Sequence, residues 1–176
     1  GTSSGNITTP SPQILPSLGE PNNVIAPFWT DLDLAGTAAD DPGTGEIYAA
    51  SLNGPNGPLL VIEWQNAQLW DIPGTSFSFQ IWYDYSSETF HYVYGDMDVP
   101  QYATVAGFEN ETGTAGFTLG SLTAQGAVGS LPVSADEFLL ASTVGDEIEI
   151  SYNTRSFNNY IFTWTSHYFK CKSCRF

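Results

Sequence analysis

The chain has 176 residues, a formal net charge of −15, and 19 acidic residues against four basic ones. This length suits one domain with a sizeable apolar core. All four basic side chains lie in the last 22 residues, so residues 1–154 carry no cation that would bind a phosphate. We therefore expect neither nucleic acid nor an anionic membrane as a partner. We also expect no membrane-spanning helix, because no run of about 18 apolar residues is present.

The amino-terminal part predicts an extended lead-in, an edge strand and an acidic loop. Residues 1–23 are rich in Ser, Thr, Pro and Gly, which disfavour a helix. The stretch VIAPFWT (24–30) predicts a strand, and its Pro27 favours a sheet edge or a bulge. A loop dense in carboxylates follows. EIYAASL (46–52) then predicts a short strand that ends at the turn sequence NGPNGP.

The centre of the chain, from Leu59 to Tyr94, predicts three antiparallel strands. Apolar residues recur there with period two, as in a strand, and not at the spacing of a helix. One face of the second strand is expected to carry Phe77, Phe79, Ile81 and Tyr83. The core-facing side chains of the other two strands are expected to be Leu60, Ile62, Trp64, Phe90, Tyr92 and Tyr94. The short Ser86-Ser87-Glu88 segment favours a hairpin between the second and third strands.

The remaining chain predicts further short strands and no helix. Strands are expected at 104–110, 117–119, 138–144 and 147–152, with a small-residue loop at 121–136. About nine strands at this spacing predict an all-β, antiparallel β-sandwich or jelly-roll-like domain over residues 1–153. Residues 154–176 are basic and aromatic, which indicates either an added edge strand at 160–169 or sequence foreign to the domain.

Three stretches carry a resemblance to a known module: PNNVIAPFWTDLDL, VIEWQNA with SFSFQIWY, and TFHYVYGDM with ATVAGFENETGTAG. In order and spacing they resemble the accessory domain that follows the catalytic domain of secreted bacterial subtilisin-like serine proteases. More distantly the chain is similar to the nidogen-type (NIDO) extracellular domain. The resemblance implies an extracellular, all-β, non-catalytic module, and it implies that one or two further strands precede Gly1.

Acidic side chains offer two kinds of candidate site. The loop residues Asp31, Asp33, Asp40, Asp41 and Glu46 supply the hard oxygen ligands that calcium prefers, on a glycine-containing segment. They lack the spacing of an EF-hand, so a solvated acidic loop is the alternative. Glu63 and Glu109 each lie in a predicted strand near aromatic residues and are the best candidates for a glycosidase pair. The alternative is that both are outward-facing strand residues.

Two tryptophans fall off the core-facing alternation and are candidates for ligand binding, namely Trp70 and Trp82. Single surface tryptophans are common, however. Trp29 and Trp64 are expected in the core.

The sequence favours a non-catalytic, secreted or cell-surface module for binding or localisation, whose ligand is a protein, a glycan or another cell-surface ligand. The resemblance implies that the module belongs to a larger secreted bacterial protein such as a subtilisin-like protease. Calcium is the one cofactor that the acidic loop suggests. A self-assembling structural protein, made of copies of this chain joined at open sheet edges, is the first alternative. A small β-sandwich glycoside hydrolase is the second.

Overall fold

A computed structural model of the chain describes residues 12–36, 43–54, 56–124 and 126–134, together with the backbone of 137–141 and 169–171. These residues contain no helix and form eleven strands in two antiparallel sheets. The strands are β1 (Ile25–Trp29), β2 (Leu32–Asp33), β3 (Glu46–Gly54), β4 (Gly57–Leu69), β5 (Ile72–Asp84), β6 (Thr89–Met97), β7 (Thr104–Glu109), β8 (Gly116–Thr123), β9 (Gly126–Gly129), β10 (Glu137–Ala141) and β11 (Phe169–Cys171). The prediction of an all-β antiparallel sandwich is confirmed.

The two sheets differ in width. The four-stranded sheet has the order β1-β7-β8-β9. The seven-stranded sheet has the order β10-β6-β5-β4-β3-β11, and the short β2 pairs with β4. The strands β3 to β6 follow one another as hairpins, which is the arrangement that short turns between period-two segments favour.

The core lies between the sheets and is dominated by aromatic rings. Phe28 of β1 stacks on Phe77 of β5, with ring centroids 5.0 Å apart, and lies 5.7 Å from Phe79. The predicted core face of the central strands is confirmed for eight of its ten residues, which either belong to the buried cluster or pack against it. Leu60 and Tyr83 are partly exposed and belong to neither set. Two of the eight also hydrogen-bond across the sandwich: the Tyr92 hydroxyl donates to the Gly107 carbonyl, and the Tyr94 hydroxyl donates to the Pro27 carbonyl.

Side-chain hydrogen bonds and positive φ angles shape the two central turns. Asp84 ends β5, and its Oδ1 accepts the backbone N–H groups of Ser86 and Ser87 at 2.7 and 3.3 Å. Glu88 then adopts a φ of 55° before β6 begins. At the other end of β5, Asp71 has a φ of 57° in the tight turn that follows β4. Asp and Asn tolerate this backbone region better than most residues.

Strand β1 is the outermost strand of the four-stranded sheet, as Pro27 predicts. It pairs with β7, and the register shifts between Ala26 and Trp29, around Pro27. A proline supplies no N–H for a ladder, so the strand bulges where a partner would need one. The prediction of an edge or a bulge is confirmed in both respects.

The described part of the lead-in, residues 12–23, contacts the outer face of the four-stranded sheet. The backbone N–H of Leu15 donates to the Thr118 hydroxyl at 2.8 Å, and that hydroxyl is also 2.8 Å from the Leu15 carbonyl. The N–H of Ser17 donates to Glu109 Oε2 at 2.7 Å. Every residue of β7 is buried, and the outward-facing Glu109 at its end is covered by the lead-in.

The prediction of a loop over 121–136 is wrong in its first part. Strand β8 extends to Thr123 and pairs with β9, whose four residues are all exposed. These residues are small and glycine-rich, so they show no alternation, and backbone pairing alone forms the strand. The predicted strand at 147–152 lies outside the described residues. Of the predicted edge strand at 160–169, only its last residue belongs to a described strand, β11, which pairs with β3.

Candidate functional site

The outer face of the seven-stranded sheet carries a connected set of polar and aromatic side chains. Ile62 and Trp64 pack against the core, so Glu63 between them points away from it. Gln80 lies directly opposite Glu63 on β5, and its Nε2 donates to Glu63 Oε1 at 3.0 Å. The indole N–H of Trp82 donates to Gln80 Oε1 at 2.6 Å. Gln80 thus holds the Trp82 ring and the Glu63 carboxylate in a fixed relation.

Two neighbouring strands extend this set. Tyr48 of β3 is the cross-strand neighbour of Glu63, and its hydroxyl donates to Glu46 Oε2. His91 of β6 is the cross-strand neighbour of Trp82, with ring centroids 6.3 Å apart. All five residues of this outer-face network (Tyr48, Glu63, Gln80, Trp82 and His91) are partly accessible to solvent.

Val61 is buried although alternation directs it away from the core. Its side chain is 2% exposed. Trp82 and Ala50 are its cross-strand neighbours on that face, and such neighbours lie within about 5.5 Å of one another. The indole therefore has an apolar cross-strand neighbour in addition to its hydrogen bond with Gln80.

The structure does not bring the two glycosidase candidates together. Glu63 points outward from the seven-stranded sheet, and Glu109, next to the core residue Phe108, points outward from the four-stranded sheet. Packed sheets lie about 10 Å apart, so two carboxylates on opposite outer faces exceed the spacing of about 5–9 Å that glycosidases use. Glu109 is also buried and accepts the Ser17 N–H, which gives it a structural role.

Part of the predicted calcium loop lies within the described residues. Asp33 is buried, and its Oδ1 accepts the N–H groups of Ala35 and Gly36 at 3.0 and 3.2 Å. Its Oδ2 is buried and accepts no hydrogen bond from the described residues. Asp31 contributes its carbonyl to the Trp70 N–H at 3.0 Å, and Glu46 accepts the Tyr48 hydroxyl.

The other predicted ligands do not complete a site within the described ranges. Asp40 and Asp41 lie outside them. In the described part of the chain, no group of three or more His, Cys, Asp or Glu side chains is arranged to hold a metal ion.

The two candidate ligand-binding tryptophans lie far apart. Trp82 belongs to the outer-face network opposite Val61, whereas Trp70 lies in the turn beyond Leu69. Eight residues of an extended strand separate these positions along β4, which corresponds to roughly 25 Å. The Trp70 backbone is held in place by a hydrogen bond, because its carbonyl accepts the Tyr102 hydroxyl at 3.0 Å. The two do not form one site.

The sequence points to only part of the outer-face network. Alternation places Gln80 and Trp82 on one face of β5, so their proximity is readable from the sequence. The cross-strand positions of Tyr48 and His91 depend on strand register, which the sequence pattern leaves open.

Comparison of the chain with protein-family models, with curated proteins and with solved structures gave no match. Within the described residues, no helix has the length and apolar character needed to cross a bilayer.

Proposed function

We propose that this chain is a non-catalytic binding and localisation module of a larger secreted or cell-surface protein, and that the outer-face network is its ligand site. The observation that carries the proposal is the hydrogen-bonded series Glu63–Gln80–Trp82. A site that orients a ligand needs an apolar surface with a few fixed polar groups. The resemblance to the accessory domain of secreted subtilisin-like proteases supports the extracellular location.

The chemistry of the network favours a neutral or cationic glycan. An indole face packs against the apolar face of a sugar ring, while carboxylate and amide groups bond its hydroxyls. Polyanions are disfavoured, because residues 1–154 contain 19 acidic and no basic side chains. Cell-wall polysaccharides of neutral or cationic character therefore fit best.

The test is binding of the full chain to insoluble chitin, cellulose and chitosan, with depletion from solution as the measurement. We expect saturable binding to at least one of them. Trp82→Ala should weaken binding about tenfold or more, because an aromatic anchor at a binding site typically contributes more than about 1.4 kcal/mol. Trp82→Phe should retain part of the affinity.

Trp70→Ala is the matched control, because it removes a tryptophan remote from the network. Equal binding by Trp82→Ala and the unmodified chain would contradict the proposal, as would an absence of binding to all three polymers. Release of soluble sugars during incubation would point instead to the glycoside hydrolase.

We further propose that calcium stabilises the loop around Asp33. A buried carboxylate oxygen without a hydrogen-bond donor among the described residues is costly unless a cation compensates it, and residues 1–154 contain no Lys or Arg to do so. Calcium at about 100 times its Kd should raise the free energy of unfolding by about 2.7 kcal/mol. Thermal unfolding in calcium and in EGTA measures this difference.

Asp33→Asn should abolish the calcium response, while Asp96→Asn, at an exposed position, should keep it. Identical melting temperatures in calcium and EGTA would rule the site out.

A further inference from the structure

The unequal width of the two sheets leaves part of the seven-stranded sheet beyond the edge of β1. Strand β1 lies over β5, where Phe28 meets Phe77 and Phe79. In the described part of the chain, no strand of the four-stranded sheet follows β1 on its outer side. Trp64, the core-facing residue of β4 that lies at this edge, is accordingly only partly buried.

A half-open cavity of about 270 Å³ lies along this edge. Its walls come from the approach to β1, from β1 itself and from the two central strands; they include Pro21, Ile25, Trp29, Trp64 and Phe79. Among the described residues, no charged side chain lines it. An apolar cavity of about 150 Å³ is enough to bind benzene in another protein, so this one has room for an indole or phenyl group.

The backbone beside the cavity offers a short pairing edge. Val24 and Glu109 exchange hydrogen bonds, with N···O distances of 3.2 and 2.9 Å. In an antiparallel ladder the next residue, Ile25, then directs its N–H and C=O away from β7. Pairing cannot continue along the strand, because Pro27 has no N–H and its carbonyl accepts the Tyr94 hydroxyl. An incoming strand would gain few backbone bonds, and a side chain in the cavity would supply most of the contact.

Charge determines which occupant suits this edge. Glu20 precedes the cavity residue Pro21, and Asp31 follows the cavity residue Thr30. A second copy of this chain would bring two net charges of −15 together, which disfavours it. The same negative charge attracts a segment that carries basic residues.

We propose that the β1 edge binds an extended peptide segment of another protein. One aromatic side chain of that segment fills the cavity, its backbone pairs with Ile25, and flanking Lys or Arg residues face the acidic surface. This is strand addition at an open sheet edge, with the specificity supplied by one pocket. The site is separate from the outer-face network and does not depend on the glycan proposal.

The test uses the full chain and the labelled peptide Lys-Thr-Val-Thr-Trp-Thr-Val-Thr-Lys, with fluorescence polarisation as the readout. We expect saturable binding that weakens at least tenfold when the central Trp is replaced by Ala. Replacing both Lys by Glu should weaken it to a similar extent at low salt. Ile25→Pro removes the outward N–H while leaving the bonds to β7 in place, and it should weaken binding about tenfold. Ile25→Val keeps that N–H and should bind within about threefold of the unmodified chain.

Trp82→Ala should leave peptide binding unchanged, which separates this site from the outer-face network. Equal binding of the Trp and Ala peptides would show attraction by charge alone and would overturn the proposal. Undiminished binding by Ile25→Pro, or no binding of the Trp peptide, would do the same. Light scattering provides a further check. If the unmodified chain were a dimer and Ile25→Pro a monomer, the β1 edge would bind a second copy of this chain instead of a peptide.

Discussion

Replacing Phe77 by alanine should lower the free energy of unfolding by about 3–5 kcal/mol, the range for removing a large buried aromatic side chain. Phe77 is fully buried, and its ring stacks on Phe28 of the opposite sheet at 5.0 Å. Its loss leaves a cavity between the two sheets, where the surrounding strands are hydrogen-bonded and relax only in part. Urea unfolding followed by circular dichroism, with linear extrapolation to water, measures the change.

Val99→Ala is the matched control for this substitution. Val99 is an apolar residue that is 83% exposed, so its truncation should change stability by no more than about 0.5 kcal/mol. Phe77→Leu should fall between the two, because it keeps most of the buried volume. If Phe77→Ala cost no more than Val99→Ala, the core assigned to this sandwich would be wrong.

The central strands were predictable because their signal is local. The alternation of core-facing and outward-facing residues in two stretches, Phe77 to Tyr83 and Phe90 to Tyr94, depends only on which residues are neighbours along the chain. One buried face between turn sequences then suffices to predict an antiparallel sheet. Pro27 likewise indicated the sheet edge through its missing N–H, without any knowledge of the partner strand.

Features that depend on distant contacts were not predictable. Glu109 reads as an outward-facing strand residue, yet the lead-in covers it and its carboxylate binds the Ser17 N–H, 92 residues away in sequence. Val61 reads as exposed but is covered on the outer face of its sheet. Strand β9 shows no alternation of apolar and polar residues, and it forms through backbone pairing with β8. Each of these outcomes is decided by what packs on a strand and not by the strand's own pattern.

The candidate sites divide in the same way. Gln80 and Trp82 share a face by alternation, and the structure adds Glu63, which accepts a hydrogen bond from Gln80 across the strand pair. The cavity beside β1 arises from the unequal widths of the two sheets, a property of the whole topology that no segment carries. A sequence pattern therefore identifies single binding side chains more readily than the concave surfaces between sheets.

The two buried tyrosines of β6 are expected to hold the sheets together through their hydroxyl groups. Tyr92 donates to the Gly107 carbonyl at 2.8 Å, and Tyr94 donates to the Pro27 carbonyl at 2.7 Å. Both acceptors belong to the four-stranded sheet. Tyr→Phe keeps each ring and removes only the donor, so a buried carbonyl loses its partner. We expect each single substitution to lower the free energy of unfolding by about 1–3 kcal/mol.

Alkaline pH gives an independent test of the Tyr92 position. Burial raises the pKa of the Tyr92 phenol well above its ordinary value of about 10, although a hydrogen bond with the Ala26 backbone partly opposes this. The unfolded chain then loses that proton at a lower pH than the folded chain. The contribution of Tyr92 to stability is therefore complete below about pH 10 and falls as the pH rises further, by about 1.4 kcal/mol per pH unit.

The measurement compares urea unfolding of the unmodified chain and Tyr92→Phe between pH 8 and pH 11. Other tyrosines ionise in the unfolded state of both proteins, so their contribution cancels in the difference. The stability advantage of the unmodified chain should be constant up to about pH 10 and should then decline. A difference in stability that stays constant through pH 11 would mean that the Tyr92 phenol ionises at the same pH in the folded and unfolded states. That result would contradict the buried position of Tyr92 between the two sheets.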